Sequence, residues 1–254
     1  MQLYLTATPE QSARAAGMGF RFSHSAYQIG TDRHLHRRSG PPQTRLGLLS
    51  LSGLEPPNIQ APTQLCREIQ RECINRGFEG VAADFGSQPT PDRLSFLQEL
   101  APQLQRSDKR LFVSAAYGKE VPEAAVLINT ALSGGTLQAM LQDACHIFHR
   151  QRIALDIERL CMDFPLPCPS GIGTALEKSA FHTLLQKHSP HTFFSHELCA
   201  KYFTYQAEGQ SHFVLFDDAD TLRCKIKLGQ QLDLSWAFLL CSEVEDLLPA
   251  LQGA

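Results

Sequence analysis

Carboxylates placed where short apolar runs end are the residues of this chain best suited to chemistry. Asp156 and Glu158 stand two apart on the run Ile153-Ala154-Leu155-Asp156-Ile157, so an extended backbone sends both side chains to one face. Asp84 ends a second run, Val81-Ala82-Ala83, before Gly86 breaks it, and Glu243 follows a third at Trp236 to Leu240. Carboxyl groups in unlike surroundings are what general acid–base catalysis uses. Each also has an architectural reading. Asp84 can cap the next loop through backbone N–H groups around Ser87, and Asp156 and Glu158 can pair with basic side chains at a rim. Asp163 can join that pair, and Asp217-Asp218 ends the run His212-Phe213-Val214-Leu215-Phe216.

Histidines and cysteines offer less. His24, His34 and His36 lie near Arg33, Arg37 and Arg38, while His146 and His149 are three apart with no glutamate in a zinc-protease pattern. His24, at the end of a strand, is the best single metal-ligand candidate, but the spacing predicts no metal site and no cofactor. The eight cysteines are scattered without a CxxC pair, which predicts free thiols in a reducing cytoplasm. Cys161 and Cys168 flank a proline-rich turn, where a nucleophilic role would need an activating partner.

The elements that would position these groups alternate. Strands are predicted over 2–7, 20–23, 45–51, around Val81, and over 109–117, 124–131, 153–157 and 236–240. Helices are predicted over 9–16, 63–76, 89–105, 136–149, 175–187, 219–228 and 243–251. Leu65, Ile69, Cys73 and Cys66 should face inward on the second helix, and Leu94, Leu97, Leu100 and Leu104 on the third. Residues 24–43 read as an exposed excursion, 165–173 as an ordered turn, and 188–218 as a smaller insertion. Strands and helices repeat at intervals of about thirty residues, and no glycine-rich nucleotide fingerprint follows the first strand. A single parallel (β/α)8 barrel over 1–254, shortened in its N-terminal part, is the predicted fold.

The 254 residues carry a formal charge of −3, from 26 acidic and 23 basic side chains, which predicts no nucleic-acid partner. No apolar run approaches the roughly eighteen residues of a membrane span. The start Met1-Gln2-Leu3-Tyr4-Leu5 lacks the basic region of a signal peptide, which predicts a cytoplasmic protein.

Two segments point further. Gly77-Phe78-Glu79-Gly80-Val81-Ala82-Ala83-Asp84-Phe85-Gly86 resembles the fourth-strand signature of family 18 glycoside hydrolases, G-F-D-G-V-D-x-D-x-E in one-letter form. The segment from His212 to Lys225, an apolar strand closed by two acids, resembles that family's entry into its last helix. In such chitinase-like barrels a glutamate at the end of the fourth strand protonates the glycosidic oxygen. The aspartate two residues earlier orients the sugar's acetamide. The resemblance puts Asp84 in that aspartate's place and Gly86 in the acid's. Glu79 and Ala82 stand where two further aspartates would be, and the tyrosine and aspartate expected near Ile128-Asn129-Thr130-Ala131 are absent. The aromatic platform expected at the end of the eighth strand falls near Leu239 or Leu240, with Trp236 earlier on that strand.

A glycine has no proton to give, so the resemblance implies a barrel that does not hydrolyse by the usual route. Such a protein would bind an N-acetylated glycan or peptidoglycan fragment, or serve as an interaction module for a protein partner, with Asp84, Tyr117, Asp217 and Trp236 as ligand-contact candidates. The alternative is a divergent hydrolase whose acid has moved to Glu158, Asp156 or Glu243. A metal-dependent barrel hydrolase using His24 is the third reading.

Overall fold

The structure is a computed structural model and describes residues 1–38, 46–52, 59 and 61–252. Among these, eight parallel strands close into a barrel: β1 (Gln2–Ala7), β2 (Arg21–His24), β3 (Leu48–Ser52), β4 (Gly80–Asp84), β5 (Arg110–Ser114), β6 (Ala125–Asn129), β7 (Ile153–Ile157) and β8 (Trp236–Leu240). β8 returns to pair with β1, Gln2 opposite Trp236, which closes the ring. The start of the predicted third strand at Arg45 and the loop prolines Pro56 and Pro57 lie outside the described residues, as does the last part of the 24–43 excursion.

Alternation along each strand sorts the side chains. Tyr4, Leu48, Ala82, Phe112, Ala125, Leu127, Ala154 and Phe238 fill the interior. Their next neighbours, such as Leu5, Val81 and Leu155, face the surrounding helices. The Tyr4 and Phe238 rings stack at 5.1 Å, and Phe112 meets Phe238 edge-on at 5.0 Å. Gly80 has no side chain for a steric reason: a Cβ there would lie 2.1 Å from the Arg110 carbonyl oxygen on β5.

The helices begin and end on local signals. On α1 (Pro9–Arg14), Thr8 and Gln11 form a reciprocal capping box. Helix α2 (Thr63–Arg76) ends where Gly77 turns left-handed at φ +70°, and it buries Leu65, Cys66, Ile69 and Cys73 as its spacing predicts. Helix α3 (Pro91–Arg106) starts from Thr90 and buries Phe96, Leu97, Leu100, Ala101 and Leu104, leaving Leu94 half-buried. Helix α4 (Leu137–Phe148) follows β6. The predicted last helix is instead two short turns, Cys241–Val244 and Leu248–Leu251, because Pro249 suits only the first turn of a new helix.

Two further segments depart from the sequence reading. Residues 27–37 form a hairpin, Tyr27–Ile29 against Leu35–Arg37, held to α2 by Tyr27 Oη donating to Glu72 at 2.8 Å and Leu35 N–H donating to Glu68 at 3.0 Å. The insertion is longer than 188–218. A five-stranded antiparallel sheet runs from Cys161–Leu166 through Thr174–Ala175, Phe193–Ser195 and Ala200–Ala207 to Gln210–Phe216, with α5 (Lys178–His188) on one face. Pro165 hid its first strand. It is tolerated because it lies past the short pairing with Thr174–Ala175, where that side of the strand is an edge.

The sheet rejoins the barrel at a buried charge pair before α6 (Ala219–Gln231). Lys225 Nζ donates to Asp217 Oδ2 at 2.6 Å, and the Leu160 N–H donates to the same oxygen at 2.8 Å. Asp218 caps α6, accepting from the Asp220 and Thr221 N–H groups. Removing one member of a buried pair leaves the other charge stranded. Lys225→Met should therefore lower the unfolding free energy by about 3–5 kcal/mol in urea titrations. Asp217→Asn/Lys225→Met, which keeps an acceptor for Leu160, should recover most of that loss. Equal loss in the two variants would show that packing, not charge, holds the joint.

Candidate functional site

The four predicted carboxylates meet. A cavity of about 370 Å³ opens at the carboxyl-terminal end of the barrel, lined among others by Asp84, Asn129, Asp156, Glu158 and Glu243 over a floor of Ala82, Leu127 and Phe238. The polar side chains come from the ends of four strands or the loops just beyond them, which is how this barrel type assembles sites. Asp84 ends β4, Asn129 ends β6, and the pairing of β6 with β7 sets Asn129 beside Asp156. Glu158 lies just past β7, and Glu243 sits in the turn after β8.

Hydrogen bonds fix their orientation. Asp84 Oδ1 accepts from Ser114 Oγ at 2.8 Å and from the Gly86 N–H at 3.1 Å. The loop-capping reading thus holds for Asp84, one residue earlier than Ser87. Asn129 Nδ2 donates to Glu158 at 2.7 Å and to Asp156 at 3.4 Å, while its own oxygen accepts from the Ala131 N–H at 2.7 Å. Glu243 Oε2 accepts from the Arg159 N–H at 3.1 Å.

Crowding sets the electrostatics. Burial pushes the Asp156 carboxyl up to about 7, and the negative charges of Asp84, Glu158 and Glu243 push the same way against the Asn129 hydrogen bond. Burial also raises Glu243, partly offset by the Arg159 N–H. One group that holds its proton near neutrality beside other carboxylates is a division of labour used in acid–base catalysis.

The other candidates lie elsewhere. Tyr117 is fully buried in the apolar layer between barrel and helices, because β5 ends at Ser114 and a 3-10 turn carries the residue outward. Trp236 is the first residue of β8, at the opposite end of the barrel, where it packs against Phe112 and under Arg110. Asp217 belongs to the buried joint with Lys225. Asp163 accepts from Tyr205 and His212 within the insertion. His24 is buried with its ring 5.5 Å from that of Phe78, His34 and His36 contact Glu68 and Asp32, and His146 and His149 are exposed. Among the described residues, no group of three or more His, Cys, Asp or Glu side chains could hold a metal ion.

The sequence reading missed Asn129, Ser114, Thr6 and Ser25. The first had a usable signal, since it is a polar residue at the carboxyl end of a buried strand and in phase with the interior Leu127. Leu240, at the end of β8 and 43% exposed, lines the cavity where the resemblance implies an aromatic platform.

No protein-family model and no curated protein matches the chain. Solved structures do. The chitinase of Chromobacterium violaceum superposes with a TM-score of 0.70 at 16% identity, covering 98% of this chain and 97% of that one. The family 18 chitinase of Cycas revoluta, solved in complex with (GlcNAc)3, gives 0.65 at 12% identity over 99% and 98%. The spore cortex-lytic enzyme SleL of Bacillus megaterium gives 0.65 at 17% identity over 94% and 70%. Among the described residues no helix is long and apolar enough to cross a membrane. The chain has the (β/α)8 barrel fold of the family 18 chitinases.

Proposed function

We propose that the acid-lined cavity binds an N-acetylated glycan, such as an N-acetylglucosamine oligomer or a peptidoglycan fragment, and does not cleave it by the usual family 18 route. Gly86 carries this reading. It stands where the resemblance implies the proton donor, its backbone is left-handed at φ +75°, and its N–H is engaged with Asp84. Ala82 leaves open floor where an inner aspartate would stand. Thr6, Ser25, Asn129 and four carboxylates among the lining residues offer hydrogen bonds to a hydroxyl- and amide-rich ligand, beside the exposed Leu240. Similarity to a chitinase solved with (GlcNAc)3 supports the ligand class by analogy of fold. Among the described lining residues Phe238 is the sole aromatic and is 5% exposed, so recognition would rest on hydrogen bonds rather than ring stacking.

A second reading is favoured by one observation, the proton that Asp156 keeps near neutrality. In it Asp156 is a relocated general acid, with Glu158 or Glu243 as its ionised counterpart.

One experiment separates the readings. N-acetylglucosamine tetramer should bind with millimolar affinity by titration calorimetry and remain uncleaved in product analysis. Asp84→Ala should weaken binding at least ~10-fold, about 1.4 kcal/mol. Cleavage that disappears in Asp156→Asn would replace the first reading by the second, and no binding at all would end both.

Asp156 also makes a pH prediction. Between the ordinary aspartate value of about 3.9 and about 7 the folded chain keeps a proton that the unfolded chain has lost. Stability should therefore fall as pH rises through that window, by up to ~1.4 kcal/mol per pH unit. The contribution is complete below the window and gone above it. Asp156→Asn, neutral throughout, should gain on the native chain by about 2–3 kcal/mol between pH 4.5 and 7.5 in urea melts. Parallel curves would mean that Asp156 ionises normally and is no acid.

A further inference from the structure

The cavity at the carboxyl-terminal rim is charged in one sense only. Four of its lining side chains are carboxylates, Asp84, Asp156, Glu158 and Glu243, and among the described lining residues none is Lys, Arg or His. Arg159 stands beside Glu243 but spends its guanidinium on the Asp246 carboxylate and the Glu243 carbonyl, both at 2.8 Å. Asp156, raised first by burial, then meets the negative charge of Asp84, Glu158 and Glu243.

Hydrogen-bonding capacity is equally lopsided. The scaffold engages one oxygen of each carboxylate: Oδ1 of Asp84, Oδ2 of Asp156, Oε2 of Glu158 and Oε2 of Glu243. Among the described residues nothing donates to the other four oxygens. Asn129 commits its amide protons to Glu158 and Asp156. Apart from the proton on Asp156, the donors left in the described lining side chains are the hydroxyls of Thr6 and Ser25. Ser23 adds a separate sign of a polar ligand. It is 0% exposed, and its hydroxyl has no hydrogen-bond partner among the described residues. On β2 it stands opposite Thr6, which lines the cavity, and opposite the interior Leu48, so its side chain faces inward at the cavity's deep end. A buried hydroxyl left unpaired is costly, and a polar ligand that reaches the floor would supply its partner.

We propose that the glycan unit seated in this cavity carries a free ammonium, which makes the preferred ligand a partly de-N-acetylated glycan with a glucosamine unit over the four carboxylates. This preference rests on the cavity being a glycan site, as proposed above, and specifies the nitrogen chemistry it selects. An ammonium carries positive charge, three N–H donors and no acceptor, which matches a surplus of acceptors. Its hydrogen bonds to carboxylates are charge-assisted and stronger than neutral ones. An acetamide in the same place offers one N–H and turns a carbonyl oxygen toward carboxylate oxygens that have nothing to donate. Among the described residues no three of these carboxylates could hold a metal ion, so the separated acids suit an organic cation rather than a bare one.

The test titrates the full chain by calorimetry with glucosamine tetramer and with N-acetylglucosamine tetramer, at about pH 6, where amino groups keep their proton. Glucosamine tetramer should bind at least ~10-fold tighter at low salt, and the ratio should shrink in about 0.5 M NaCl. Glu158→Gln keeps the side chain's shape and an acceptor for Asn129, and should cut the ratio by ~3-fold or more. Tetralysine, a cation without sugar rings, should bind more weakly than glucosamine tetramer. Equal affinity for the two tetramers, or tighter binding of the N-acetylated one, overturns the ammonium preference and leaves the glycan reading standing. No binding of either ends both, whereas binding of glucosamine tetramer alone upholds the preference and overturns the N-acetylated part of the earlier reading. A ratio untouched by Glu158→Gln, or tetralysine binding as well as glucosamine tetramer, would overturn the preference too, because the cation would then be held elsewhere or by net charge alone.

Discussion

The aromatic filling of the barrel is the constraint on which the rest depends. Tyr4, Phe112 and Phe238 close the interior at mid-height, and the ionisable side chains on the same inward faces, Asp84 and Asp156 among them, lie towards its ends. At the amino-terminal end Tyr4 Oη donates to Glu79, which also pairs with Arg21, and burial together with Glu79 keeps the phenol un-ionised. At the other end the same stack is a low-dielectric floor. Phe238 lies opposite Asp156 in the β7–β8 pairing, and this is why Asp156 feels desolvation before it feels its acidic neighbours. A cavity in which Asp156 holds its proton to higher pH than an ordinary aspartate thus follows from how the core is filled.

Much of this was legible in the sequence, because it follows from periodicity. Helix α2 has the predicted bounds and buried face, and the strands at 2–7, 153–157 and 236–240 have their predicted limits. Asp84, Asp156, Glu158 and Glu243 were found by one rule, a carboxylate at the end of a buried strand, and that rule suffices because parallel strands all end at one rim. Which way the aromatic side chains near strand ends face was not legible. Tyr117 looks like a strand terminus, but the backbone turns after Ser114 and sends it to the opposite side of the wall. Trp236 is on a correctly placed strand but at its start, and so at the wrong end.

The insertion was the least legible part. Its strands follow one another as an antiparallel sheet, with a proline in one strand and a helix between two others, so neither alternation nor spacing separates it from the barrel's own repeat. The acid pair that closes it was visible, and its role resolves by geometry. Asp217 is committed to Lys225 and to the Leu160 backbone, and Asp218 to the start of α6. Both acids hold two substructures together, which leaves neither available to the cavity.

The backbone at position 86 bears on how such a protein can change. An acid at this position would need a side chain on a backbone now held by glycine. At φ +75° any side chain costs roughly 1–2 kcal/mol, and the loop is already tied through its N–H to Asp84. A lone Gly86→Glu substitution would give a strained loop before it gave a proton donor, and the turn would have to reshape first. The conformation of one residue therefore restricts what this loop can present to the cavity: its backbone geometry admits glycine at less cost than any residue that carries a side chain.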